Sequence, residues 1–261
     1  MQPALWTSKS GLDGQQTELD NISNNLANVK TPGYKKGRVQ FEDLLYQKVR
    51  APGAENSQSS LLPSGLMVGT GVKVVSTQKD FSNGNPIRTD NALDMSISGR
   101  GFFQILQADG TIAYTRDGSF QLDLNGNVVN SKGLLLQPTI TFPTGVTGIT
   151  IGEDGVVSTQ VPNSSTLTQL GTIQLADFIN PAGLEPIGGN LFVQTDASGT
   201  VLLNNPQTNG LGSIDSGYLE SSNVNVVEEL VNLIQTQRAY EMNARALETV
   251  DDMLKFVVQS L

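Results

Sequence analysis

The chain has 261 residues, of which 25 are acidic and 16 basic, so its net charge of −9 argues against nucleic-acid binding, which needs a basic surface. It contains no cysteine and no histidine, which excludes disulfides, thiolate metal sites and imidazole-dependent hydrolases. We therefore expect a protein that is not an enzyme and that carries no cofactor and no metal.

The sequence also predicts no membrane insertion. No run approaches the roughly 18 apolar residues that a membrane span needs. The N-terminus lacks the basic and continuous apolar regions of a Sec-type signal peptide. We expect a soluble protein that is either cytosolic or exported without a cleaved signal.

The N-terminal segment carries a heptad pattern. Positions 1, 5, 8, 12, 15, 19, 22, 26 and 29 advance by steps of four and three, and seven of these nine residues are apolar. This spacing predicts a helix that packs lengthwise on another helix. Thr31-Pro32-Gly33 predicts the stop, because proline cannot continue the hydrogen-bond ladder and glycine allows a reversed backbone.

The following segment is predicted to be an extended linker arm over residues 31–70. Residues 47–65 are rich in Pro, Gly, Ser and Gln, a composition typical of irregular structure. The basic patch of Lys35, Lys36 and Arg38 is interpreted as a solvated face. The alternative, that it meets an acidic surface of a neighbouring copy, stays open.

Residues 71–222 predict a Gly-rich β-domain. Period-two alternation and short apolar runs indicate strands at 72–76, 93–97, 102–106, 112–115, 119–122, 128–129, 148–151, 172–175 and 191–193. Pairs of Asn or Asp with Gly favour turns with positive φ. We interpret them as hairpin turns at Asn83-Gly84, Asp109-Gly110, Asp117-Gly118, Asn125-Gly126 and Asp154-Gly155.

Two chemical interpretations of this region are weaker than the turn interpretation. The string from Asp123 to Asn127 resembles a calcium loop, but its glycine stands at the fourth place and its twelfth place is Leu134 rather than Glu. Four aspartates could supply the paired carboxylates of a glycoside hydrolase, namely Asp109, Asp117, Asp123 and Asp154. All of them except Asp123 directly precede a turn glycine, so the sequence favours turns.

The C-terminal segment carries a longer heptad pattern. Positions 226, 230, 233, 237, 240, 244, 247, 251, 254, 258 and 261 follow it, and nine of these eleven are apolar. Asn225 with Glu228 resembles a capping box and marks the start of a helix. A second apolar row from Ala239 to Val257 lies beside the first. The two terminal helices can pair, and neighbouring copies would cover the second row; the alternative is that the middle of the chain covers it.

Amides accompany both patterns. Asn21, Asn24, Asn25 and Asn28 fall at helical spacing, and Gln237 occupies a heptad position. Amides inside a helical interface fix its register and the number of partners. An exposed polar stripe is the alternative for the asparagines.

These residues also carry a family resemblance. Asn24 to Val29 followed by Thr31 to Lys35 resembles the N-terminal signature of the flagellar rod and hook axial proteins. The segments 99–103 and 114–120 are similar to that family's β-domain motif, and Ser222 to Asn225 with Gln237 to Glu241 resembles its C-terminal signature. The matching residues are Asn24, Asn25, Asn28, Thr31, Gly33, Tyr34, Gly101, Phe102, Phe103, Arg116, Asp117, Gly118, Asn223, Asn225, Arg238 and Glu241.

Within the family, the segment from Phe41 to Tyr46 that runs on to 62–72 resembles the distal-rod members. Hook and proximal-rod subunits are the alternatives within the class. A peptidoglycan-binding module or an enzyme of cell-wall metabolism is the alternative from a different class.

The resemblance implies an α+β fold in which long N- and C-terminal helices form a coiled-coil-like domain. It places residues 1–30 and 223–261 in that domain, 31–70 in the arm and 71–222 in an outer β-domain. It implies a homo-oligomeric helical tube that crosses the periplasm and transmits motor torque. The implied partners are proximal rod and hook subunits, the P- and L-ring proteins, and the type III flagellar export apparatus. The expected inter-subunit packing residues are Leu5, Leu12, Leu19, Ile22, Leu26, Val226, Leu230, Leu233, Gln237, Tyr240, Leu247 and Leu254.

Overall fold

The computed structural model describes residues 3–51, 55–57, 60–61, 64–143, 145–146, 148–160 and 167–259. It has one helix near each end and a mostly β middle, so the predicted α+β class is confirmed. The chain divides into two compact units. Unit 1 consists of Met1–Ala27, Gly37–Gln78 and Asn225–Leu261, and unit 2 of Asn28–Lys36 and Lys79–Val224.

Unit 1 contains the two long helices, α1 at Pro3–Ala27 and α2 at Val226–Gln259. The predicted start of α2 is confirmed, because the Asn225 Oδ1 accepts a hydrogen bond from the Val227 N–H at 3.1 Å and caps the first turn. Helix α1 ends two residues before the last predicted heptad position, Val29. The outermost heptad positions, Met1 and Leu261, lie outside the described residues.

Unit 1 also contains six short strands, and they correct the prediction that residues 47–65 are irregular. In sequence they are β1 (Gly37–Asp43), β2 (Gln47–Arg50), β3 (Glu55–Ser57), β4 (Ser60–Leu61), β5 (Leu66–Val68) and β6 (Val72–Lys79). Strand β1 pairs with β6, β2 with β5 and β3 with β4. Main-chain ladders form these pairs irrespective of the polar composition, which is why a prediction based on composition missed them.

Unit 2 is built from sixteen described strands. They are β7 (Pro86–Arg88), β8 (Met95–Ser98), β9 (Phe103–Leu106), β10 (Ile112–Thr115), β11 (Phe120–Leu122), β12 (Val128–Asn130), β13 (Leu135–Gln137), β14 (Gly148–Ile151), β15 (Val156–Gln160), β16 (Leu167–Thr172), β17 (Leu175–Asp177), β18 (Glu185–Gly188), β19 (Leu191–Val193), β20 (Leu202–Asn204), β21 (Ser213–Ser216) and β22 (Tyr218–Glu220). A 3-10 helix spans Pro181–Gly183. The predicted strand at 172–175 is wrong in its bounds, because β16 ends and β17 begins within it.

The largest sheet of unit 2 has seven antiparallel strands in the order β11-β12-β13-β9-β10-β19-β18. A second sheet has the order β14-β15-β16. Three further pairs join β17 to β20, β21 to β8 and β22 to β7. The strand β22 therefore ends with Glu220 beside the start of β7.

The core of unit 2 consists of two clusters, and two adjacent phenylalanines each belong to one of them. Phe103 is fully buried and packs in the larger cluster, where its ring meets Phe120 edge-on at 5.3 Å. Phe102 joins the smaller one and meets Phe178 edge-on at 5.8 Å. Successive side chains of an extended chain point to opposite sides, so one dipeptide serves both clusters.

Three of the five predicted hairpin turns are confirmed. The turns at Asp109-Gly110, Asn125-Gly126 and Asp154-Gly155 join β9 to β10, β11 to β12 and β14 to β15. The hairpin interpretation of the other two is wrong, because neither connects strands that pair.

In these two pairs the glycine instead allows a close contact of the backbone inside unit 2. A Cβ on Gly118 would collide with the Met95 carbonyl, and the Gly118 carbonyl accepts the Met95 N–H at 3.0 Å. The Gly84 N–H donates to the Glu220 carboxylate at 2.9 Å. Both glycines thus allow close backbone contacts inside unit 2.

Neither helix of the described chain combines the length and the apolar character that crossing a membrane would require.

Candidate assembly surface and buried ionic cluster

Helices α1 and α2 of unit 1 pack against each other in antiparallel orientation. The Asn25 Nδ2 donates to the Glu229 Oε2 at 3.4 Å, and a Cβ added to Gly11 would lie 3.0 Å from the Asn243 Nδ2. Going from residue 11 to 25 on α1 therefore corresponds to going from 243 back to 229 on α2. Both steps are 14 residues, so one register holds over four turns.

The side of α2 that faces α1 is small and polar near the middle of the pair. Glu229 and Thr236 are 6% and 7% exposed, and Asn243 follows at the same seven-residue spacing. Ala239 and Ala246 are half-buried, each three residues after Thr236 and Asn243 respectively. Small side chains at these places let the helix backbones approach closely, as the contact at Gly11 requires.

Large apolar side chains on α2 remain exposed instead. We call Val226, Val227, Leu230, Val231 and Ile234 the outer α2 strip; they are 38%, 70%, 42%, 47% and 48% exposed. The spacings of one, four, five and eight residues place them on one side of the helix. The helix pair leaves this strip uncovered.

The structure divides the predicted packing residues between buried and exposed positions. On α1, Ile22 is 3% exposed, and half-buried positions are taken by Leu5, Leu12, Leu19 and Leu26. On α2, Leu233, Leu247 and Leu254 are half-buried. The exposed ones are Val226, Leu230, Gln237 and Tyr240.

Asn25 and Asn21 of α1 bind Gly37, the residue at which the chain re-enters unit 1. The Asn25 Oδ1 accepts the Gly37 N–H at 2.8 Å, and its Nδ2 donates to the Gly37 carbonyl at 2.9 Å. The Asn21 Nδ2 donates to the same carbonyl at 2.8 Å, and a Cβ on Gly37 would collide with the Asn21 side chain. The buried asparagine thus pairs with both backbone groups of one residue, as a strand would. Asn25, a residue of the family signature, holds α1 to β1.

Unit 2 contains a buried ionic cluster formed by Lys35, Arg116 and Glu220. The Lys35 Nζ lies 2.6 Å from the Glu220 Oε1, and the Arg116 Nη1 lies 3.5 Å from the Oε2. The three side chains are at most 3% exposed. The interpretation of the basic patch as a solvated face is therefore wrong for Lys35, although Arg38 is exposed.

Backbone carbonyl groups accept further hydrogen bonds from the two cations of the ionic cluster. The Lys35 Nζ donates to the Ser82 carbonyl at 2.7 Å. The Arg116 Nη2 donates to the Gly99 carbonyl at 2.7 Å, and its guanidinium lies 5.3 Å from the centre of the Phe102 ring. Buried charges are tolerated when they are paired and hydrogen-bonded, and these contacts meet that condition except at the Arg116 Nε, which is buried without a hydrogen-bond partner among the described residues.

The ionic cluster contains two cations and one carboxylate, and burial lowers the pKa of both cations. Burial lowers the pKa of Lys35, and the nearby Glu220 carboxylate opposes this effect. Burial also lowers the pKa of Arg116, again against the effect of Glu220. Desolvation disfavours the charged form of each base, and the Glu220 carboxylate, helped by Asp80 at Lys35 and by Asp177 at Arg116, favours it.

The chain segments that bring these residues together are tied to one another. The Gly33 N–H donates to the Glu220 carbonyl at 2.8 Å, and Gly33 itself lies against the backbone of Arg116 and Asp117. The Asn223 side chain accepts the Lys36 N–H at 2.8 Å and donates to the Asp80 carbonyl at 2.8 Å. The segments where the chain enters and leaves unit 2 are thereby fixed inside it.

The motif residues fall into three groups by burial. The buried ones are Asn25, Gly33, Gly101, Phe102, Phe103, Arg116 and Gly118. The half-buried ones are Asn28, Thr31, Tyr34, Asp117 and Asn223. The exposed ones are Asn24, Asn225, Arg238 and Glu241.

Sequence reasoning placed Lys35 and Glu229 in the family signatures but did not predict their pairing with Glu220 and Asn25. Glu220 ends a strand and Lys35 stands in a charged run, and neither position differs in sequence from an exposed charge. The pairing of Glu229 with Asn25 does have a signal, because the helix dipole favours anions in the first turn of α2. No group of three or more metal-binding side chains comes together in the described part of the chain.

Comparisons with known proteins place this geometry in a family. The profile described as "Flagella basal body rod protein" matches residues 5–35, "Flagellar hook protein FlgE/F/G D1 domain" matches 96–159, and "Flagellar basal body rod FlgEFG protein C-terminal" matches 215–260. The flagellar basal-body rod protein FlgG of Buchnera aphidicola subsp. Acyrthosiphon pisum is 50% identical, over 99% of this chain and 100% of that protein. The chain belongs to the FlgG family of flagellar basal-body rod proteins.

Other FlgG proteins support the same assignment. That of Borreliella burgdorferi is 46% identical over 97% of each chain. That of Bacillus subtilis is 36% identical over 99% of this chain and 98% of that protein. The resemblance to rod and hook proteins noted in the sequence is confirmed, and the place of this FlgG-family chain is the flagellar basal body.

Each of the three family segments supplies one member of the ionic cluster. Lys35 is the last residue of the first matched segment, Arg116 lies in the second and Glu220 in the third. The segments that define the family in sequence thus meet at one buried point of unit 2.

Proposed function

We propose that the chain is a structural subunit of the flagellar distal rod. It assembles with further copies into a stiff helical tube that transmits motor torque across the periplasm to the hook. The observation that carries this proposal is the outer α2 strip, a row of large apolar side chains left exposed beside a helix pair packed with small and polar residues.

The size of the exposed surface argues for a partner. Burying one large aliphatic side chain gains about 1.5–3 kcal/mol. The five side chains of the strip are each 38–70% exposed in the isolated chain, so their complete burial would gain several kcal/mol of further stabilisation. Contiguous apolar patches of this kind mark interaction sites.

The occupant of the strip is the terminal helices of neighbouring copies. In the proposed packing the helices lie lengthwise on one another as in a coiled coil. Leu230, Gln237 and Tyr240 are exposed on α2 and face the neighbour, while the half-buried leucines of both helices close the same interface. Gln237 sets the register, as an amide does at a heptad position.

The ribbon formed by β2 and β5 supports a second contact between copies. Val49, Leu66 and Met67 on this ribbon are 65%, 57% and 44% exposed. A two-stranded ribbon is marginally stable alone in water, so packing against an adjacent subunit would stabilise it. Residues 47–65 then stiffen the tube. Deletion of 47–65 should lower the bending stiffness of assembled filaments, and unchanged stiffness would count against this role.

The remaining partners follow from the place in the rod. A proximal rod subunit lies below, the hook lies above, and the P- and L-ring proteins surround the tube. The chain reaches its place through the flagellar export apparatus. Its work is mechanical, so it is not an enzyme.

Charge substitution in the outer strip tests the proposal. Leu230→Asp and Ile234→Asp should each abolish polymerisation in sedimentation assays and motility in a strain that lacks the native gene, because a carboxylate would be buried in the interface. Gln235→Asp changes a neighbouring exposed position and is the matched control. Normal tubes and motility from both strip variants would contradict the proposal.

A further inference from the structure

Unit 2 has a small pocket beside the ionic cluster, and Lys35 of that cluster is one of its lining residues. Its volume is about 200 Å³, and its walls include Tyr34, Lys79, Pro186, Gly189 and Phe192. Pockets for drug-sized ligands and cofactors run from about 300 to 1,000 Å³. This pocket therefore has room for one side chain rather than for a cofactor.

One wall of the pocket presents a lysine amine without a carboxylate partner among the described residues. The Lys79 Nζ donates to the Lys35 carbonyl at 3.1 Å and to the Tyr34 hydroxyl at 3.4 Å. It lies 4.6 Å from the centre of the Tyr34 ring. None of the ion pairs in the described chain includes Lys79. The two hydrogen bonds leave a third N–H of the ammonium for another acceptor.

A second amine, that of Lys132, lies next to the lining residue Gly189. The Lys132 Nζ lies so close to Gly189 that a Cβ at that position would collide with it. Gly189 has φ +64, so a side chain there would be strained as well. The opposite wall carries Pro186 and the largely buried Phe192. The pocket thus combines the Lys79 amine with apolar lining residues that suit the methylene groups of an acidic side chain.

We propose that this pocket accepts the carboxylate of an acidic side chain from a second copy of the chain. The chain itself supplies such groups in excess, with 25 acidic and 16 basic residues. Burial lowers the pKa of Lys79, and an entering carboxylate would favour its charged form. The inference rests on the proposed assembly function and adds a polar contact made by unit 2.

Zero-length carbodiimide coupling tests the contact in the full chain. The reagent joins a lysine amine to a carboxylate that touches it. Polymer made from a mixture of isotope-labelled and unlabelled copies should give peptides in which Lys79 of one copy is joined to an Asp or Glu of another. Lys79→Met should lose these peptides and raise the concentration needed for polymerisation about tenfold, since a desolvated ion pair is removed. Lys30→Met removes a lysine of the same unit that lies outside the pocket and should polymerise normally.

The outcomes separate this inference from the function on which it rests. Failure of the wild-type chain to polymerise in any condition would contradict the assembly function and the pocket contact together. Two results together would overturn the pocket contact alone. Lys79→Met would polymerise at the wild-type concentration, and the wild-type polymer would show no cross-link between copies at Lys79. A Lys79→Met monomer with normal thermal stability and impaired polymerisation would support it.

Discussion

The Lys35 Nζ lies 2.6 Å from the Glu220 Oε1 although 185 residues separate them in sequence. Both side chains are buried in unit 2, where Arg116 approaches the same carboxylate. The ionic cluster therefore carries a net charge of +1. Removing the carboxylate raises that charge to +2, whereas removing the lysine brings it to zero.

Glu220→Gln should destabilise unit 2 far more than Lys35→Met. The first removes the carboxylate that both buried cations contact, leaving only the weaker influence of Asp80 and Asp177, and breaking a buried pair in this way costs about 3–5 kcal/mol. The second leaves the Arg116–Glu220 pair balanced. Urea denaturation followed by far-UV circular dichroism measures both, with Glu185→Gln on the exposed strand β18 as the control. An effect of Lys35→Met equal to that of Glu220→Gln would contradict the charge argument.

The stability of unit 2 should rise with pH on the alkaline side of neutrality. Burial lowers the pKa of Lys35, so the folded unit gives up this proton more readily than the unfolded chain does. Between the folded pKa and the ordinary value of about 10.4, the unfolded chain binds more protons, and the free energy of unfolding increases with pH.

The urea midpoint measured between pH 7 and about pH 9.5 tests this, because the range ends below the ordinary tyrosine pKa of about 10. Lys35→Met should lose the part of the rise that Lys35 contributes, while the part that comes from Lys79, whose pKa is also lowered by burial, should remain. The assignment to Lys35 would be disproved if the difference in urea midpoint between wild type and Lys35→Met did not change with pH or changed in the opposite direction.

Gly33→Ala should destabilise unit 2 more than Gly110→Ala. Both glycines have positive φ, +67 and +85, so alanine at either place adds a strain of about 1–2 kcal/mol. A Cβ on Gly33 would also lie 2.5 Å from the Asp117 backbone nitrogen, whereas one on Gly110 meets nothing within 4 Å. We expect roughly 1–3 kcal/mol of additional loss at Gly33 from this clash. Equal thermal shifts in the two variants would show that the close approach to Asp117 is not needed.

Limited trypsin digestion should cut the dilute monomer first in its terminal segments. In the dilute monomer the helix pair lacks the neighbouring copies that would cover its outer α2 strip, and helices with little packing are marginal in water, so cleavage at the exposed Lys9, Arg238 and Arg245 should be fast. Lys35 and Arg116 are buried in unit 2 and should resist. Cleavage confined to the middle of a dilute monomer, with both ends protected, would refute this.

Local signals in the sequence predicted the helical ends of the fold well. Asn225 marked the start of α2 because an N-cap is a local feature, and three of the Asx-Gly pairs marked hairpins. The Asp117-Gly118 pair misled, because Gly118 is required by the Met95 carbonyl, which belongs to a different part of the chain. Such a requirement leaves no trace in the neighbouring residues.

Long-range pairings could not be predicted. Nothing near Lys35 distinguishes it from the exposed Arg38, and its partner Glu220 lies in the last strand of unit 2. The heptad pattern of α2 located an apolar surface, but the side that packs on α1 is centred on Glu229, Thr236 and Asn243 instead. Periodicity identifies apolar rows, and it does not say which row meets which partner.

Single-cysteine labelling of the outer α2 strip tests the assembly account most directly, because the native chain contains no cysteine to interfere. Leu230→Cys and Ile234→Cys should react rapidly with a maleimide in the monomer and become protected in assembled tubes, while Ser131→Cys on unit 2, outside the strip, reports on reagent access. Protection of positions 230 and 234 on assembly is the predicted result. Equal labelling of both positions in monomer and tube would contradict the claim that neighbouring copies cover this strip.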